Sequence, residues 1–144
     1  MLRQFLLGGG VSLINITIHG LVMTTVVWVA RAAGRKKIFH PSLFVIAVVI
    51  PTVSVLMIAH TIEVIVWALA YWMVQAAPAG ADLIYFAFVN YTTLGYGDVL
   101  PIPAWRLLGP ITAMNGVLLF GWSTAIIFEV LRRTLARSGN LSTD

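Results

Sequence analysis

Three apolar stretches, from about Leu6 to Ala30, Ser42 to Gln75 and Leu107 to Leu131, dominate the chain. Each reaches or exceeds the ~20 residues that a helix needs to cross a ~30 Å hydrocarbon core. Such stretches have few stable settings in water. Only 10% of the 144 residues are charged, against about 25% in an ordinary soluble domain. The expectation is an all-α membrane protein with no room for a separate soluble domain. The first stretch is preceded by Arg3, but Gly8-Gly9-Gly10, Asn15, Thr17, His19 and Thr24-Thr25 interrupt it. It is also long for the apolar part of a cleaved signal, so a retained first helix is expected.

Charge placement sets the expected topology. The net charge is +4, from 9 Lys and Arg against 5 Asp and Glu. Arg31, Arg35, Lys36 and Lys37 separate the first two spans, and Arg132, Arg133 and Arg137 follow the last. This distribution follows the positive-inside rule and not a nucleic-acid-binding face, so no nucleic-acid partner is expected. With loop and tail both cytoplasmic, the chain between them crosses an even number of times and Met1 lies outside. Trp28 falls at the inner end of the first span, and Trp67, Tyr71, Trp72 and Trp105 gather toward the outer end, as an aromatic belt would. Ser42–Gln75 is about 50 Å long as one helix, so tilting, a kink at Pro51 or an interfacial start is expected. A hairpin of two short spans is the competing arrangement, and it would put the basic loop and tail on opposite sides. The absence of cysteine removes disulfides and thiolate metal sites from consideration.

Between the second and third spans lies a segment too short to cross. Pro78, Gly80 and Asp82 break the preceding helix, and Asp82 is a suitable N-cap for a helix over roughly Leu83 to Tyr91. Directly after it come Thr92, Thr93, Leu94, Gly95, Tyr96, Gly97 and Asp98. Gly95 and Gly97 can take backbone conformations that other L-residues avoid. Alternated with Leu94 and Tyr96, they can turn successive carbonyls to one side. In a four-fold ring those carbonyls, with the Thr93 hydroxyl below, form stacked oxygen cages able to replace an ion's water shell. An ordinary Gly-rich turn is the plainer alternative. Such a turn requires neither the Thr-Thr pair, nor a short helix leading in, nor a long apolar helix leading out. Non-helical backbone at this depth survives only against protein or a water-filled cavity. The chain has no internal repeat, so a four-fold ring requires four chains.

The run from Tyr91 to Asp98 resembles the potassium-channel signature, with Leu94 where Val is commonest. The resemblance covers roughly Thr61 to Leu131, including Tyr85, Phe86, Trp105-Arg106, Gly116 and Gly121. The segments His60-Thr61-Ile62-Glu63 and Phe120 to Ala125 are similar to a group of short bacterial ion-channel proteins. The resemblance implies a homotetramer of three-span subunits in the cell membrane, that of the bacterial inner membrane, with a re-entrant pore helix. It implies that carbonyls of Thr93, Leu94, Gly95 and Tyr96 bind dehydrated K⁺, the one metal ion expected and the cargo, with no cofactor. Thr92, Gly97, Asp98, Tyr85 and Asn90 would support the filter, Tyr85 standing where many relatives have a Trp that hydrogen-bonds the Asp. Val89 replaces an acid found in some relatives, and Leu94 is less stiff at χ1 than Val. In the last helix Gly116 matches a gating hinge, or allows close helix packing. Val117, Phe120, Thr124 and Phe128 would face the cavity, with Phe128 a constriction. The expected organisation is residues 1–38 as first helix and basic loop, 39–135 as pore module and 136–144 as short tail.

Several polar residues need a separate account. Glu63 is the one acid deep in a span, and an unpaired charge there costs roughly 2.5–3.5 kcal/mol. His60 lies one turn earlier on the same face, giving a proton-sensing or a purely structural pair. His19 and His40 fall on other segments, so no metal site is expected there. Glu129 can pair with Arg132 or Arg133 one turn on. The sequons at Asn15, Asn90 and Asn140 lie in membrane elements or on the cytoplasmic side, so none reads as a glycan site. No helix carries the regularly spaced arginines of a voltage sensor, and the tail is too short for a cytoplasmic ligand-binding ring. The sequence offers no nucleophile–base pair and no phosphate loop, so no enzyme is expected. A weakly selective cation channel and a non-conducting membrane subunit are the competing functions.

Overall fold

The computed structural model describes residues 1–33 and 40–140; within the basic loop, Arg35, Lys36 and Lys37 fall outside the described residues. The described chain contains helices and no strand: α1 (Leu2–Ala33), α2 (Pro41–Val74), α3 (Leu83–Tyr91), a single 3₁₀ turn over Pro103–Trp105, and α4 (Leu108–Asn140). α1, α2 and α4 are each long and apolar enough to cross a membrane. This is an all-α membrane protein.

α2 is one continuous helix of 34 residues with Pro51 inside it, so the hairpin arrangement does not occur. Proline removes one backbone donor and crowds the preceding turn. Near it Thr52 Oγ1 donates to the carbonyl of Val48 and Ser54 Oγ to that of Ile50, so both hydroxyls are satisfied by their own helix within the apolar span. α2 stops at Gln75, whose φ of 51° is left-handed, and the Ala76 amide donates back to the Tyr71 carbonyl, a helix-ending pattern. Asp82 then caps α3 by accepting from the amides of Ile84 and Tyr85.

The described helices divide into two compact units. The first comprises residues 1–19 and 60–120. Its core packs Trp67, Tyr71, Phe86, Tyr91, Leu108 and Val64, and α1 enters it through Val11. Tyr71 stacks obliquely on Phe86 at 4.8 Å and shares a hydrogen bond of 2.6 Å with Thr112. Trp67 and Tyr71 are thus fully buried and serve the core, whereas Trp72 is exposed as a belt residue would be. The second unit, residues 20–59 and the chain from 121 on, has a smaller core of Met23, Val26 and Leu56. There Glu129 pairs with both Arg132 and Arg133.

Candidate functional site

The segment after α3 is organised by its own backbone. Positive φ values occur at Thr93 (61°), Gly95 (59°) and Gly97 (79°), alternating with residues of ordinary φ. A non-glycine residue in this region costs on the order of 1–3 kcal/mol and is held there by its surroundings. The amides of Thr92, Thr93 and Leu94 donate to the carbonyls of Phe88, Asn90 and Val89, so the end of α3 supplies acceptors for the turn into the segment. Residues 92–98 are all exposed in the single chain. Tyr96 is 69% exposed and Leu94 53%, so their surfaces await cover from outside this chain.

Behind this segment, Tyr85 Oη donates to Asp98 Oδ2 at 2.6 Å. That bond holds the Asp98 carboxyl below the usual carboxylate range, and the same carboxylate pushes the Tyr85 hydroxyl up to about 12. The Asp98 carboxylate also accepts from the Val99 amide. The Asn90 side chain turns back along its own helix to the Phe86 carbonyl, with its Oδ1 facing Gly109. Gly116 meets α3 at close range. A Cβ there would lie 2.0 Å from the Tyr91 carbonyl oxygen, so close packing by itself requires glycine at this position.

Of the four residues spaced to line a cavity, Val117, Thr124 and Phe128 are exposed on α4. Phe120 departs from them. Its ring packs 4.6 Å from His60 and 5.3 Å from Tyr91, inside the first unit. The positions i+4, i+7 and i+11 from Val117 are Gly121, Thr124 and Phe128, a tighter stripe in which glycine takes the place expected for Phe120.

Glu63 is completely buried and has more partners than spacing along α2 indicates. His60 Nδ1 lies 2.9 Å from its Oε2, as the i,i+3 spacing predicts. His19 of α1, which the sequence leaves on a separate segment, places its Nδ1 2.8 Å from Oε1. The Tyr91 hydroxyl donates to Oε2 and lies 3.0 Å from His60 Nδ1. Asn15 Nδ2 donates to the Glu63 carbonyl and to Asn115 Oδ1, both at 3.2 Å, and Trp67 Nε1 donates to the same Asn115 oxygen at 3.0 Å. Polar groups of four helices therefore pair with one another in an apolar interior, while Asn15 Oδ1 and Asn115 Nδ2 are buried without a hydrogen-bond partner among the described residues. His19, Asn15, Asn115 and Tyr91 escaped the sequence reading as members of this cluster. The available signal was that Asn15, His19 and Asn115 are polar residues within apolar spans, which normally face protein.

Three apolar helices, a capped short helix and an exposed, alternately handed segment define a membrane pore module that is incomplete in one chain. A family model described as "Ion channel" matches residues 43–133, well over half of the chain. The chain belongs to this ion-channel family, whose members assemble in membranes and pass ions. The match runs from the start of α2 into α4, so α1 lies outside it. No curated protein and no solved structure matches the chain.

Proposed function

We propose that this protein is one subunit of a potassium-selective homotetrameric channel that conducts K⁺ passively. The carrying observation is the alternation of handedness at Thr93, Gly95 and Gly97 in an exposed segment directly behind a capped helix. Alternation lets the carbonyls of Thr93, Leu94, Gly95 and Tyr96 face one axis, where four chains build cages that replace the hydration shell of K⁺. The Tyr85–Asp98 bond braces the outer end of that filter. Val117, Thr124 and Phe128 line the cavity below, and Phe128 forms its narrowest hydrophobic ring. The basic loop after α1 and the arginines ending α4 lie in the cytoplasm with Met1 outside, because cationic loops stay on that side. The reading leaves no step for an enzyme; K⁺ is the cargo.

Rubidium uptake into liposomes containing the purified protein, with sodium as competitor, tests this directly. Uptake suppressed by K⁺ and indifferent to Na⁺ is the expected result. Equal competition by Na⁺ would establish a weakly selective cation channel instead, and no uptake a non-conducting subunit.

A further inference from the structure

We propose that His19, His60 and Glu63 form a binding site for a divalent first-row transition-metal ion of the zinc type, with Tyr91 at the fourth corner. The donor atoms, one from each of the three residues, all lie within 4.8 Å of one another. Ligand atoms around a tetrahedral zinc, at ~2.0–2.1 Å from the ion, stand about 3.4 Å apart. The His19–Glu63 and His60–Glu63 separations of 2.8 and 2.9 Å are hydrogen-bond contacts to the two carboxylate oxygens, Oε1 and Oε2, so an ion entering between the donors needs them to open by only about half an ångström. Both imidazoles present the same nitrogen, Nδ1, to the same carboxylate. The Tyr91 hydroxyl lies against that carboxylate and 3.0 Å from His60 Nδ1.

The donor chemistry selects the ion. Two imidazoles and one carboxylate are the set that zinc and its neighbours favour, whereas K⁺ and Mg²⁺ prefer oxygen alone. His60-x-x-Glu63 on one helix, completed by a histidine from another, shares the i,i+3 spacing, in reverse order, of the Glu-x-x-His motif by which some helical bundles hold metals in their cores.

Charge points the same way. Among the described residues the ion-pair partners of Glu63 are the two histidines, and the Tyr91 hydroxyl, which donates to the same carboxylate, carries no positive charge. A carboxylate buried this deeply needs either a proton or a compensating cation, and a metal ion at these nitrogens supplies the cation. Asn15, one turn before His19 on α1, donates to the Glu63 backbone carbonyl and so ties α1 to α2 beside the donors. A bound ion would tie α1 and α2 to the last residue of α3, immediately before Thr92.

The full-length protein, purified in detergent and stripped with chelator, is titrated with Co²⁺ as the spectroscopic probe. One Co²⁺ per chain is expected, with the intense visible absorption of a four-coordinate ion, release of protons on binding and displacement by Zn²⁺. His19→Gln and Glu63→Gln should weaken binding by about 100-fold or more, since each removes a ligand where even an outer-shell change costs 10–100-fold. His40→Gln should bind as the wild type does. Should a variant fail to fold, metal-edge X-ray absorption of the wild-type protein must show imidazole nitrogens around the ion. Absence of stoichiometric metal on the wild type, undiminished binding in His19→Gln, or an imidazole-free shell each overturns the site and leaves protons as the compensating charge. None of these readouts depends on ion flux.

Discussion

Gly116 and Gly121 are five residues apart on one helix, yet the space around them differs completely. A methyl group at 116 would meet the Tyr91 carbonyl oxygen at 2.0 Å and its carbon at 3.0 Å, and neither atom can move without shifting the end of α3. At 121 nothing lies within 4 Å. Gly116→Ala should therefore destabilise the protein by about 1–3 kcal/mol through overpacking. Gly121→Ala should leave it unchanged or raise its stability by up to about 1 kcal/mol through helix propensity. Thermal melting of the two variants in detergent checks the contrast, and equal melting temperatures would refute the close approach. The Tyr85–Asp98 bond supplies a second test. The Asp98 pKa is lowered, so the stability it contributes is present above the ordinary carboxylate pKa and fades as pH falls through the lowered value. The Tyr85 pKa is raised, so its share is present below the ordinary tyrosine pKa and fades as pH rises through about 12. In Asp98→Asn, one tyrosine should return toward about 10, visible as an earlier phenolate absorbance step on alkaline titration.

At the scale of elements, α3 is the vulnerable one. Nine residues are too few for a helix to persist alone in water, so its position depends on its cap and on the packing of Phe86 and Tyr91. Asp82 accepts from two amides, and Asp82→Ala should cost about 1 kcal/mol, with Asp82→Asn nearly neutral because it keeps the acceptor. Hydrogen–deuterium exchange of the Ile84 and Tyr85 amides reads this locally; protection retained in Asp82→Ala would show that packing alone holds the start of α3. α1 lies beyond the matched family region yet is no loose appendage. The Leu107 amide donates to Gln4 Oε1, Asn15 reaches Asn115 and His19 reaches Glu63, so polar contacts recur along the part of α1 within the first unit.

At the scale of the whole molecule, residues 92–98 are polar or Gly-rich and exposed, and a lipid environment leaves such backbone no partner. Association of several chains supplies the cover. For the proposed tetramer, native mass spectrometry should give four chains. Ions bound between subunits stabilise the assembly by mass action, so the tetramer should survive to higher temperature in K⁺ than in Na⁺ at equal ionic strength. A melting temperature indifferent to that exchange would argue against the proposed ion cages.

The number of spanning helices, the Asp82 cap and the special backbone at Gly95 and Gly97 were determined by sequence alone. Each rests on local physics: stretches long enough for a bilayer, an acceptor side chain at a helix start, and the missing Cβ of glycine. The i,i+3 neighbourhood of His60 and Glu63 was legible for the same reason. Which side of α4 Phe120 occupies, whether Trp67 belongs to a belt or a core, and the meeting of His19 with Glu63 across 44 residues of chain were decided only by tertiary structure. In a chain this apolar nearly every helix face is hydrophobic, so polarity along one helix does not say which face turns inward. That choice is made by the packing of several helices together, where polar groups such as His19, Asn15 and Glu63 find partners on another helix.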